Sequence, residues 1–347
     1  MEETIKKEKR IEYLDLLRII AIIGVIVIHV TTREITENNI ENLKINLLFL
    51  FDGFVRWCVP IFIMISGTLF LSKEYSFKEL YFKKILRIIT AFIFWTIMCV
   101  IFLNDKTINQ VIIRKLLVGN YHMWFLLMIM GLYILTPILK KIVESESLTK
   151  YFLIVWIVIS LLLPTIYDVI LLITENSYIV TIINAFKFNL NKLEIALSYS
   201  GYFVLGYYLY KKNFSKKSRI EIYILGIIGA ILTTILTMIV SKRMGKYTDL
   251  YSKFLSLNVF LQSVAIYVFA KYHFRTNKVF KNVAKCCFGI YLVHVIVLEK
   301  GESILGINAL LFNPILSVPL ITTSVFLKSL LISEILNKIP ILKKYIV

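Results

Sequence analysis

The segment Tyr13–Thr32, YLDLLRIIAIIGVIVIHVTT, decides the fold class. It is almost wholly apolar and long enough to cross ~30 Å of hydrocarbon as one helix. It nevertheless carries Arg18 near one end and His29 near the other. Eleven steps of a helix return to within ~20° of the same face and rise roughly 16 Å, so both side chains sit on one face at different depths. Ionisable groups inside a spanning helix face protein or water, which makes this face a candidate functional surface. The segment has no small-residue cleavage site and is read as a retained span, not a removed signal peptide.

The rest of the chain repeats the pattern. Of 347 residues, 58% are apolar, more than a soluble core of this size requires. About ten apolar runs recur, at roughly 13–31, 46–72, 82–103, 122–140, 151–172, 194–210, 220–240, 254–271, 286–299 and 310–337. The expectation is an all-α, polytopic helical bundle with about ten transmembrane helices, both termini cytoplasmic, and residues 1–347 forming a single membrane domain. The net charge of +18 follows from orientation. About 25 Lys and Arg fall on the inner side and about 12 on the outer loops, the positive-inside bias. No segment is long enough to present a basic folded surface, so nucleic acid is excluded as a partner, whereas membrane lipids are expected ones. Between the spans, INQVIIRKLLVG within Asn104–Tyr121 reads as amphipathic and interfacial. Thr174–Leu193 is similar in kind, and Ser72–Lys84 reads as a short interfacial helix on the inner side. The four cysteines, Cys58, Cys99, Cys286 and Cys287, read as small buried thiols.

Several polar residues fall where a span has no structural need of them. His29 can take and return a proton near neutral pH, or can bond a neighbouring helix. Arg18 follows Asp15 by three residues, so the two can pair; its guanidinium suits phosphate, and it can also snorkel to headgroups. Arg87, in KKILRII, is a second candidate for the same anion. Arg56, in FVRWCVPIFIMISG, lies deep in the second span, with Asp52 available as a partner and Pro60 as the cause of a kink. His122 and Trp124 open the fourth span in GNYHMWFL, and His294 lies in the outer half of the ninth. His29, His122 and His294 thus fall on the outer half. None has the i, i+3 or i, i+4 spacing of metal ligands, so no metal is expected.

Four segments taken together, YLDLLRIIAIIGVIVIHVTT, RWCVPIFIMISGTLF, YHMWFLLMIMGLYILTPIL and FGIYLVHVIVL, resemble the acyltransferase-3 family of integral membrane acyltransferases. The likeness is nearest to the branch that contains the O-acetyltransferase of enterobacterial common antigen. The resemblance implies acetyl-CoA or another acyl-CoA as cytoplasmic co-substrate and a hydroxyl of a cell-surface glycan or lipid-linked sugar as acceptor. It also implies a bacterial plasma membrane location. It implies that Arg18 and His29 are the essential first-span pair and that Arg87 matches the basic residue opening the third span. Many members place Gly after the first-span Arg, where this chain has Ile19, a difference that bears on helix packing. On this reading His29 is the base and Arg18 its catalytic partner. Arg87, Arg56, His122, Trp124, Asp15 and His294 are the candidate substrate and acyl-CoA contacts. Two other classes fit the buried charges alone: a transporter of a small polar solute or glycan, and a non-catalytic partner in polysaccharide assembly.

Overall fold

A computed structural model describes residues 10–103, 118–174, 176, 178–183 and 197–347, and every regular element among them is a helix. The hub is α1, Tyr13–Glu37. Its Ile and Val side chains would favour a strand in water. In hydrocarbon the backbone must satisfy its own hydrogen bonds, so the same residues wind into a helix. In α1, 72% of the most apolar window is buried, against 28% in the spans Tyr121–Val143 and Pro314–Lys338, which face outward. A spanning helix covered by protein on most sides can carry polar groups; one facing lipid cannot.

The second span, Leu43–Leu71, is two helices, α2 (Leu43–Val55) and α3 (Cys58–Leu71), interrupted at Arg56 and Trp57. Pro60 has no N–H for the Arg56 carbonyl, so the kink expected from it appears at that carbonyl. The inner segment after α3 holds one short helical turn, Phe77–Glu79, and a wide π turn, Leu80–Ile85, that runs into α4, Leu86–Leu103. After residues 104–117, which lie outside the described set together with most of the expected interfacial piece, come α5 (Trp124–Val143), α6 (Glu146–Trp156) and α7 (Leu163–Ile173). Most of the Thr174–Leu193 loop also lies outside the described residues. The chain continues with α8 (Ser200–Lys211), α9 (Lys216–Arg243), α10 (Leu257–His273), α11 (Lys278–Leu305), α12 (Pro314–Lys338) and the short α13 (Pro340–Tyr345). Asn42, Ser145, Ser215, Asn277 and Asn313 each accept a free N–H at the start of α2, α6, α9, α11 and α12, which fixes where these helices begin.

Among the described residues, eight spans are long and apolar enough to cross a membrane. The two other expected spans, 194–210 and 254–271, correspond to the 12 described residues of α8 and the 17 of α10. The chain is therefore an all-α, multi-pass membrane protein. Helix α1 packs on α2, α3, α10, α11 and α12. Helices α3 and α8 cross so closely that a Cβ on Gly67 would lie 1.8 Å from the Phe203 carbonyl oxygen, and one on Gly206 2.0 Å from that of Met64. Only glycine allows this backbone contact, the small-residue packing typical of membrane helices. Helices α9 and α10 are joined by a buried polar knot in which Asn258 and Gln262 both donate to the Thr233 hydroxyl, at 2.6 and 2.7 Å. All four cysteines are buried free thiols.

Candidate active site

One cavity of about 410 Å³ runs beside α1 and is walled by α3, α4, α5 and α11. This volume is in the range of a small-molecule site. Its chemistry changes along its length. At the end where α1, α4 and α11 begin, four cations line it: Arg18, Lys84, Arg87 and Lys285. The middle is apolar, with Val25, Ile65 and Ile129 among its walls, relieved by the hydroxyls of Ser66 and Tyr133. The far end holds His29, His122, Trp124 and Phe254. Among the described residues no acidic side chain lines any part of it. A mouth lined by four cations, with Asp15 behind Arg18 as the neighbouring carboxylate, is a site for an anion, because guanidinium and ammonium groups out of bulk water bind phosphate or carboxylate with charge-assisted hydrogen bonds.

Helix periodicity places the cations of the mouth and the first imidazole. Arg18, Val25 and His29 share one face of α1. Lys84, Arg87 and Ile88 follow the i, i+3, i+4 spacing into α4. Arg18 is held by a 3.2 Å contact to Asp15, whose carboxylate also receives Arg10 at 2.7 and 2.8 Å. Asp15 borders a second inner cavity of about 430 Å³, shared with Arg10, Arg18 and Lys73, and does not border the main one. The Arg87 guanidinium lies 5.4 Å from the Phe288 ring centre, and one of its nitrogens donates to the Val347 carbonyl.

Arg56 is placed differently. It forms a buried bidentate pair with Asp52, Nε to Oδ2 at 2.8 Å and Nη2 to Oδ1 at 2.6 Å, and the same Nη2 lies 3.2 Å from the Thr32 hydroxyl and 2.8 Å from the Tyr247 hydroxyl. Thr32 in turn donates to Asp52 at 3.0 Å. The Tyr247 phenol, in the loop after α9, is pushed above its usual range chiefly by burial, which keeps it a neutral hydroxyl for Arg56. This closed knot ties α1, α2 and the loop carrying Phe254 together, and Arg56 does not border the main cavity.

His29, His122 and His294 converge from three separate elements. The His29 and His294 ring centres are 5.1 Å apart, and His122 and His294 are 5.5 Å apart. Tyr121 lies 5.4 Å from His29. His29 and His122 border the cavity, whereas His294, fully buried, stands behind them. Among the described residues no group of three or more His, Cys, Asp and Glu side chains is arranged to hold a metal ion. The last histidine, His273, stacks on Phe269 at the end of α10.

Of the residues singled out in the sequence, the structure brings Arg18, His29, Arg87, His122 and Trp124 to one cavity and leaves Arg56, Asp15 and His294 off its wall. Lys84 and Lys285, which the sequence presents only as inner-side orientation charges, also line the cavity, as do Tyr133, Ser66 and Phe254, to which the sequence assigns no role. The spacing of Lys84 to Arg87 carried a usable signal. Phe254 stacks on Trp124 with ring centres 5.9 Å apart across a loop–helix contact that no local spacing encodes.

No curated protein and no solved structure matches the chain. The sequence model described as an acyltransferase domain matches residues 11–334, almost the full length of the bundle and all the residues that line the main cavity. The chain therefore belongs to the acyltransferase-3 family and is a multi-pass membrane acyltransferase acting on groups other than aminoacyl groups.

Proposed function

We propose that the protein moves an acyl group, by preference acetyl, from cytosolic acyl-CoA to a hydroxyl of a cell-surface or lipid-linked carbohydrate, in the plasma membrane of a bacterium. The observation that carries this reading is the single cavity with cations at one end and imidazoles at the other. Arg18, Lys84, Arg87 and Lys285 meet the phosphates of the donor at the inner mouth. The apolar middle accommodates a thin, uncharged arm over the roughly 16 Å from Arg18 to His29. His29 then takes the proton of the acceptor hydroxyl as its oxygen attacks the thioester carbonyl. The new C–O ester bond forms, the C–S bond breaks, and His29 returns the proton to the departing thiolate. His122, on the same wall, is placed to bond the carbonyl oxygen as it gains charge. Trp124 and Phe254 offer apolar ring faces to a sugar. The finer likeness to the enterobacterial common antigen O-acetyltransferase branch belongs to this proposal and rests on the four quoted segments.

The test is reconstitution in proteoliposomes with acetyl-CoA on the basic side and a panel of hexoses and N-acetylhexosamines on the other. The expected result is CoA release coupled to sugar acetylation and lost in His29→Ala. Sugar movement without CoA release would establish a transporter instead.

A further inference from the structure

His294 is completely buried on α11, and one of its nitrogens is already committed. Its Nδ1 lies 2.6 Å from the carbonyl oxygen of Tyr291, one turn earlier. A carbonyl can only accept, so Nδ1 carries the proton, and in the neutral ring Nε2 is left as a bare acceptor. That Nε2 is buried and has no partner among the described residues. A buried acceptor without a donor is costly, and such a group in a native protein calls for an explanation.

The groups around it narrow the explanation. The Tyr291 hydroxyl is spent on the His122 carbonyl at 2.5 Å, a bond that pins the start of α5 to α11. The donors that remain nearby are the imidazoles of His29, 5.1 Å between ring centres, and His122, 5.5 Å. Among the described residues His29 has ring contacts to Tyr121 and His294 and no hydrogen bond, so nothing else fixes its tautomer. The nearer pair is separated by a distance that one N–H···N bond of ~3 Å bridges after a small ring rotation.

We propose that His294 is a positioning residue that accepts the N–H of His29, so that the other nitrogen of His29 presents its lone pair to the cavity. This rests on the proposed role of His29 as base. The backbone carbonyl of Tyr291 sets the tautomer of His294, and His294 sets that of His29, a two-imidazole relay of orientation in which no net proton passes. His294 thereby acts without touching either substrate.

Two measurements test it. In proteoliposomes with acetyl-CoA and N-acetylglucosamine or water as acceptor, His294→Ala lowers kcat about 100-fold with the KM for acetyl-CoA within twofold. His294→Gln, whose amide oxygen can accept the same N–H, recovers at least a tenth of the activity. In a His29→Ala background, His294→Ala costs nothing further, because the two act as a unit. A kcat within twofold of the parent in His294→Ala, or no recovery with Gln, overturns the inference. If His29→Ala itself stays active, the proposed function fails first, which keeps the two failures apart. The second measurement needs no turnover. Nitrogen-15 spectra of histidine-labelled protein in liposomes show His29 in one tautomer in the parent, predominantly the same tautomer in His294→Gln, and a mixture in His294→Ala. A His29 signal unchanged in His294→Ala overturns the inference whatever the activity.

Discussion

Arg18 and Arg56 look alike in the sequence and behave as opposites in the fold. Each is a guanidinium inside an apolar span with an aspartate on the same helix, three residues away for Arg18 and four for Arg56. Arg56 is 7% exposed and closed on all sides, by Asp52, Thr32 and Tyr247. Arg18 is 25% exposed, has one 3.2 Å contact to an aspartate that it shares with Arg10, and borders the cavity. Two charges out of water are tolerated only if their mutual attraction and hydrogen bonds offset desolvation, and Arg56 meets that condition internally. Arg18 meets it in part, and the remainder is available to a ligand. A charged residue in a membrane helix thus marks a site only when its own neighbours leave it unfinished.

That contrast can be broken or sharpened, beginning with the far end of the cavity. His29→Ala should lower kcat for acetyl-CoA turnover about 1,000-fold, the scale of a lost general base, without moving the melting temperature. Arg18→Gln should lower kcat/KM for acetyl-CoA about 100-fold with the fold intact, measured by turnover beside thermal unfolding in detergent. Arg56→Gln should do the reverse. It leaves the Asp52 carboxylate buried and unpaired, destabilises the protein by about 3 kcal/mol, and lowers activity only as far as folded protein is lost. Asp52→Leu with Arg56→Met should recover most of that stability, since an apolar pair of similar volume removes both desolvation costs. If Arg56→Gln instead left stability unchanged and abolished turnover, the distinction between the two arginines would collapse. Lys84→Gln and Lys285→Gln should each raise the KM for acetyl-CoA about fivefold with kcat unchanged. Those effects should shrink as salt is raised from 0.05 to about 0.5 M, because both charges sit near the mouth. Asp15→Asn should be the mildest, about a threefold change in the same KM, as Arg18 loses its local tether.

The parts of this molecule legible in the sequence are those written in local periodicity. The first span, the Arg18–His29 face, the Asp15–Arg18 and Asp52–Arg56 pairs, and the break ahead of Pro60 all follow from spacing within one helix. Of the basic residues at the mouth, Arg18 and Arg87 read as anion ligands from the sequence, whereas Lys84 and Lys285 read only as orientation charges. Only the packing of α11 against α1, and of α4 against α11, brings Lys84 and Lys285 to one cavity. The convergence of His29, His122 and His294 was foreshadowed by depth alone, since all three fall in the outer half of their spans. That His294 stands behind the other two depends on the rotation of α11, which nothing local sets. Arg10 on Asp15 and the Val347 carbonyl on Arg87 join residues five and 260 positions apart. The first pair lies outside the helical spacings that guide a search, and the second is a purely tertiary contact.

The apolar middle of the cavity has a consequence for the cell as well as for the reaction. Any opening from one side of a membrane toward the other threatens the ion gradients that the membrane exists to hold. Walls such as Val25, Ile65 and Ile129 offer water almost nothing to bond, so a narrow stretch between them dries out easily and resists hydrated ions. The positive mouth adds an electrostatic barrier against protons and metal cations entering from the same side. Residues that would let an uncharged arm slide through would also act as electrical insulation, and replacing them with polar side chains should show first as proton leak, before any change in the chemistry.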